Sequence, residues 1–146
     1  MTKEELFTEK AANGYTVCYV AGCPLSGQCL RSSVGKYYPS RLTVAKCVNP
    51  LHDNVGTDKC PLYRTGSKVQ MACGMTRMFT DDMPKSVVSQ VRGELMERYK
   101  RTTYFEYRKG NKLISPAMQA DIRRLFRKAG WDGDVKFDSY VEDYDW

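Results

Sequence analysis

The sequence predicts a small single α+β domain, with a cysteine-rich, metal-stabilised N-terminal half and a helix–hairpin–helix C-terminal half. Three observations lead there. All six cysteines and four of the six prolines fall between residues 15 and 80, among short apolar runs such as "YTVCYV" and "RLTVAKCV". Beyond residue 80, two stretches repeat apolar residues at helical spacing and a third, between them, alternates like a strand. At 146 residues, 42% hydrophobic and 27% charged, the chain can bury one ordinary core and does not resemble a disordered one.

The elements follow in order. Thr2 and Glu5 have capping-box spacing, and Leu6, Phe7 and Ala11 line one side of a short helix that Asn13-Gly14 ends. Residues 15–80 hold loops and brief strands with too little apolar periodicity to be held by packing alone. Pro84 suits a first helical turn, and Val87, Val88, Val91, Leu95, Met96 and Tyr99 predict a helix over about 84–99. "TTYFEYR" is rich in strand formers, "KGN" at 109–111 is turn-like and "KLI" returns, which predicts a hairpin. Ser115-Pro116 reads as N-cap and first helical residue, and Gly130 as the residue after the C-cap, framing a helix over about 116–129. Residues 131–146 form an acidic, aromatic tail, expected to be a final strand or helical turn packed by Phe137, Tyr140 and Trp146.

The cysteines carry the most specific chemistry. Thiolate ligands tend to sit on tight turns, where backbone N–H groups face the sulfur, and a proline after the cysteine favours such a turn. Cys23-Pro24 and Cys60-Pro61 share this form, and the echo of "CPLSGQ" in "CPLYRT" predicts two similar turns. The candidate metal ligands are Cys18, Cys23, Cys29 and Cys60, holding zinc or, alternatively, an iron–sulfur cluster, whose ligand spacings vary more. Metal-free structural thiols, disulfides or a redox switch, and a catalytic cysteine are the competing readings. His52, the only histidine, is the one other residue able to complete a three-cysteine site; Cys47 and Cys73 read as buried, inert thiols. A tetrathiolate zinc site carries about two negative charges, which Arg31, Lys46, Lys59 and Arg64 would offset.

Charge is unevenly placed. The chain carries a net +6, yet residues 131–146 hold six acids against Lys136 alone, leaving the first 130 residues at +11. Arg98, Lys100, Arg101, Arg108, Lys109 and Lys112 interleave with Tyr99, Tyr104, Phe105 and Tyr107, while Arg123, Arg124, Arg127 and Lys128 lie opposite the apolar stripe of the last helix. Cations beside aromatic rings suit single-stranded nucleic acid; solvated faces and inward-packed rings are the plain alternative. An acidic protein partner is the other expectation, and oligomeric state is left open. "GWDGDVKFDSY" fails as a calcium loop, because aligning Gly133 puts Lys128 and Ser139 where carboxylates are required. No apolar run suggests a secretory signal or a membrane span, so a cytoplasmic protein without membrane contact is expected.

Four motifs carry a resemblance across nearly the whole chain. They are Cys18 to Arg31 with its x4 and x5 spacings, "CPLYR" at 60–64, "YRKGNKLISPAMQ" at 107–119 and the ending "FDSYVEDYDW". With these the chain resembles an uncharacterised family of short Bacteroidales proteins of unknown function. The resemblance implies that Cys18, Cys23, Cys29 and Cys60 belong to the family pattern, and it supplies no activity. With no phosphate-binding glycine loop and no paired catalytic groups, the expected function is a non-enzymatic, zinc-like binding module. It would contact nucleic acid or act as a regulatory adaptor. The alternatives are an iron–sulfur redox or sensor protein and a protein–protein adaptor without nucleic-acid contact.

Overall fold

A computed structural model describes residues 1–146. Along the chain run α1 (Lys3–Ala12), α2 (Leu30–Gly35), β1 (Val69–Cys73), α3 (Lys85–Tyr99), α4 (Arg101–Lys109), α5 (Pro116–Lys128) and β2 (Ser139–Asp143). Helices mixed with a two-stranded sheet make this an α+β chain. The cap signals place three helices. Thr2 Oγ1 accepts the Glu5 N–H at 3.1 Å while Glu5 Oε2 accepts the Thr2 N–H at 2.7 Å, so the capping box opens α1. Pro84 stands at the N-cap of α3. Ser115 Oγ accepts the Met118 N–H at 3.2 Å to open α5, and Gly130, at φ +96°, follows its end.

The chain divides into two compact units, residues 1–68 with 144–146, and residues 69–143. In the first, α1 packs on α2, and Phe7, Ala11, Val17, Leu30, Val34 and Tyr144 form the buried cluster. Phe7 meets Tyr144 edge-on at 5.2 Å between ring centroids, and Trp146 stacks in the same manner against Phe7 and Tyr15. The rest of this unit is turns and bends. In the second, β1 and β2 pair antiparallel, Met71 opposite Val141, and α3, α4 and α5 pack around a core that includes Leu95, Tyr104, Ile114, Ile122 and Phe126. On α5 the apolar stripe of Met118, Ile122, Leu125 and Phe126 is buried as its period requires.

The expected hairpin does not form. Residues 101–109, which include "TTYFEYR", make α4, and Gly110 at φ +86° is the residue that ends it. Its N–H donates to the Tyr107 carbonyl at 3.2 Å and the Asn111 N–H donates to Glu106 at 3.0 Å, a helix-terminating pattern that imitates a hairpin turn in sequence. Strand propensity was overridden by packing, since Tyr104 is buried and Tyr107 sets its ring edge-on to Tyr99 at 5.7 Å. "KLI" does return to a strand, but to β1: Ala72 and Ile114 exchange both backbone hydrogen bonds, at 2.9 and 2.8 Å.

Candidate metal centre and basic cleft

In the first unit the chain from Cys18 to Arg31 folds back on residues 57–66. Both Cys-Pro turns close alike, Ser26 N–H to the Cys23 carbonyl at 3.1 Å and Tyr63 N–H to the Cys60 carbonyl at 3.2 Å, as the repeated dipeptide predicts. Cys29 bridges antiparallel to Thr65. Leu30 N–H donates to Arg64 at 2.7 Å and Gly66 N–H to Gln28 at 2.8 Å. At Gly66 a Cβ would lie 3.2 Å from the Gln28 carbonyl oxygen, so a larger residue would have to push these segments apart by a few tenths of an ångström. The Cys18 N–H donates to the Arg31 carbonyl at 3.2 Å.

These contacts gather Cys18, Cys23, Cys29 and Cys60 around one cavity of about 20 Å³. Val20, Leu25, Val48, Val55 and Leu62 make up much of the remaining wall, and neither a histidine nor a carboxylate lines it. All six cysteines are free thiols. No three His, Cys, Asp or Glu side chains stand close enough together to hold a metal ion, so the four thiols share a cavity without converging on a point. The other sulfurs lie elsewhere. Cys47 is exposed, where a buried thiol was expected, because only its backbone pairs with Val17. Cys73 is half-buried on β1, its Sγ–H donating to the Gly110 carbonyl at 3.5 Å. His52 is exposed and away from the cavity wall, its Nδ1 accepting the Asn54 N–H at 3.3 Å.

Of the four cations expected to offset thiolate charge, Arg31 alone lines the cavity. Its Nε donates to the Leu62 carbonyl at 2.8 Å and its Nη1 to Thr16 at 2.9 Å, while the guanidinium lies 5.1 Å from the Tyr15 ring centre. One side chain thus ties together three segments that present the cysteines. The Tyr15 hydroxyl is buried without a partner, and burial raises its pKa above the ordinary phenol value against the opposing pull of Arg31 and Arg64. Lys46 and Lys59 are exposed, and Arg64 turns its Nη1 to the Tyr63 carbonyl at 3.0 Å.

The second unit carries the basic residues. Arg98, Lys100, Arg101, Lys109, Lys112, Arg124, Arg127 and Lys128 are exposed, whereas Arg108 and Arg123 are half-buried. Several already have partners: Arg124 pairs with Asp121, Lys128 reaches Glu94 at 3.3 Å, and Arg101 lies over Phe105 at 5.9 Å. Of the rings interleaved with the first basic cluster, Tyr104 is buried in the core and Tyr99, Phe105 and Tyr107 are half-buried against it. Lys100 sits at φ +66° where α3 turns into α4.

Two of the ten candidate nucleic-acid residues, Arg123 and Arg127, line an open cleft of about 500 Å³. Arg77, Lys136, Trp131 and Tyr140 join them from other segments, and Asp132 and Asp134 lie on the same wall. Sequence reasoning missed Arg77 and Lys136 because each is an isolated cation in its own segment; only the fold around Asp138 assembles them. The Asp138 carboxylate accepts the Thr76 hydroxyl at 2.7 Å and the N–H groups of Thr76 and Arg77 at 3.2 and 3.0 Å. Partial burial raises its pKa, but these bonds and the Arg77 charge outweigh that and hold it below the usual aspartate value.

An α+β chain whose thiols line a cavity in one unit and whose cations line a cleft in the other defines a class only loosely. The chain belongs to the family of unknown function DUF6078, whose model matches residues 1–146. No curated protein and no solved structure matches it.

Proposed function

We propose that the protein is a non-enzymatic binding module in which Cys18, Cys23, Cys29 and Cys60 hold a structural zinc-type ion and the basic groups of the second unit meet a polyanion, single-stranded nucleic acid. The observation that carries the metal reading is selective. Four of six cysteines line one cavity, they are the four on or beside the Cys-Pro turns, and Cys47 and Cys73 lie outside it. Soft thiolates suit zinc or iron–sulfur clusters. Size favours zinc: a cavity of about 20 Å³ is little more than the roughly 10–15 Å³ that one water needs, whereas a four-iron cluster brings eight atoms. The sulfurs must still draw together to reach about 2.3 Å from an ion. The apolar wall favours a closed structural site over an open catalytic one, and a thiolate nucleophile would want a base that the wall does not supply.

Anaerobic purification followed by native mass spectrometry and elemental analysis tests the reading. One zinc per chain, removed by chelator and lost in Cys23→Ser, is expected. A brown protein containing iron and sulfide would replace zinc with a cluster, and bare polypeptide that stays folded after exhaustive chelation would end the metal reading altogether.

A further inference from the structure

The cleft that Arg123 and Arg127 share with Arg77 and Lys136 brings four cations together from three separate segments. Arg123 and Arg127 are four residues apart on α5 and so share a face. Arg77 is placed by its own N–H, held by Asp138 at 3.0 Å. The loop that carries Lys136 is fixed at both ends. The Trp131 N–H donates to the Phe126 carbonyl at 2.9 Å, and Phe137 is buried with the Arg123 guanidinium 5.5 Å from its ring centre. Beside these cations stands Tyr140, 50% exposed and set edge-on to Phe137 at 6.3 Å between centroids. Its ring is the one large aromatic in the cleft left open to solvent to that extent.

From this arrangement we infer that the cleft binds one phosphate-and-base unit of a single-stranded nucleic acid, with the phosphate between Arg77, Arg123 and Arg127 and the base stacked on Tyr140. The inference rests on the nucleic-acid reading proposed above and narrows it to Arg123 and Arg127 joined by Arg77 and Tyr140, which no sequence feature linked to nucleic acid. Charge along a backbone with an adjacent free ring is the arrangement single strands use, since every base has a π-face and every link a phosphate. A duplex keeps its bases stacked inside and would leave Tyr140 unused. Asp132 and Asp134 line the same wall, so they oppose an anion there and set an affinity that their removal should raise.

Fluorescence anisotropy with a labelled oligothymidylate of about 12 nucleotides, a length within the range single-strand folds cover, tests this on the full chain. Arg77→Ala combined with Arg127→Ala, both exposed positions, should weaken binding about tenfold or more and flatten its salt dependence. Tyr140→Leu should weaken it about fivefold with the salt dependence unchanged. Asp132→Asn with Asp134→Asn should tighten it, an effect that mere loss of folding cannot mimic. Binding by the parent protein that ignores these changes but is lost in Arg98→Ala with Lys109→Ala would overturn the cleft while leaving nucleic-acid contact in place. Absence of oligothymidylate binding at low salt would remove the contact itself, and the cleft with it.

Discussion

Residues 69–143 and residues 1–68 with 144–146 are of similar length, yet the first unit named buries fifteen hydrophobic side chains and the other nine. Three of those nine, Cys29, Val48 and Val55, surround the thiol cavity instead of joining the cluster around Phe7. At about 2 kcal/mol per buried side chain, six fewer leave a shortfall on the order of 10 kcal/mol against a comparable loss of chain entropy. Structural zinc in small domains supplies about 10–16 kcal/mol, the same magnitude. The comparison teaches that the two units reach order by different routes, one by packing three helices on a sheet, the other by tying turns together and, on the reading proposed, closing them on an ion.

The largest expected effect breaks this comparison at the cavity. Cys60→Ser, or chelation of the parent protein, should abolish amide protection around residues 18–31 and 57–66 while α3, α5 and the β1–β2 pair keep theirs, because the second unit's core contains none of the four thiols. Cys47→Ser, at an exposed thiol outside the cavity, should change protection nowhere. Hydrogen exchange read by mass spectrometry distinguishes the cases. Equal protection in Cys60→Ser and Cys47→Ser would mean that hydrogen bonds and Arg31 suffice to hold the turns.

A smaller effect is expected within the packed unit. Gly74 follows β1 at φ +85°, and a Cβ there would strike the Asp138 carboxylate, lying 2.9 Å from its Cγ. Gly74→Ala therefore meets both an unfavourable backbone and a collision, and should cost about 2–4 kcal/mol in urea denaturation. The alternative is that Asp138 swings aside cheaply, which would show as a loss under 1 kcal/mol together with weaker protection of the Thr76 and Arg77 amides.

The two units also differ in how far sequence reveals them. In the second, α3 and α5 were legible because caps and a 3.6-residue period agree, whereas α4 was not: nine residues, five of them Thr or aromatic, fit either period, and Gly110 ends a helix as readily as it turns a hairpin. In the first, the capping box of α1 and the paired Cys-Pro turns were legible from local chemistry alone. That Cys18, Cys23, Cys29 and Cys60 face one cavity agrees with their grouping in sequence, but the exposure of Cys47 depends on which face its bridge to Val17 leaves open. The role of Arg31 as a tie between residues 16 and 62 was illegible, since its partners are backbone carbonyls with no side-chain signature. The cleft was half legible for a related reason: two of its arginines share a helix, and the others are brought in by an aspartate that reads in sequence as one more acid of the tail.

That aspartate gives the packed unit a pH dependence of its own. The Asp138 pKa is lowered on folding, so the folded chain binds its proton less readily than the unfolded chain does. Its contribution is then fully present above the unfolded value of about 3.9 and declines as pH falls through the lower folded-state value. Asp138→Asn keeps the shape but replaces one acceptor oxygen with a donor facing the Thr76 or Arg77 N–H. The variant should be less stable than the parent near neutral pH, and the gap should narrow in acid, at pH values below the unfolded carboxyl value of about 3.9, as the parent's own carboxyl takes up its proton. Urea midpoints at both pH values measure it, with the Thr76 and Arg77 amides as local reporters. A gap of the same size at both would mean that the hydrogen bonds act through geometry alone, and that the charge on Asp138 contributes nothing to holding Arg77 at the cleft.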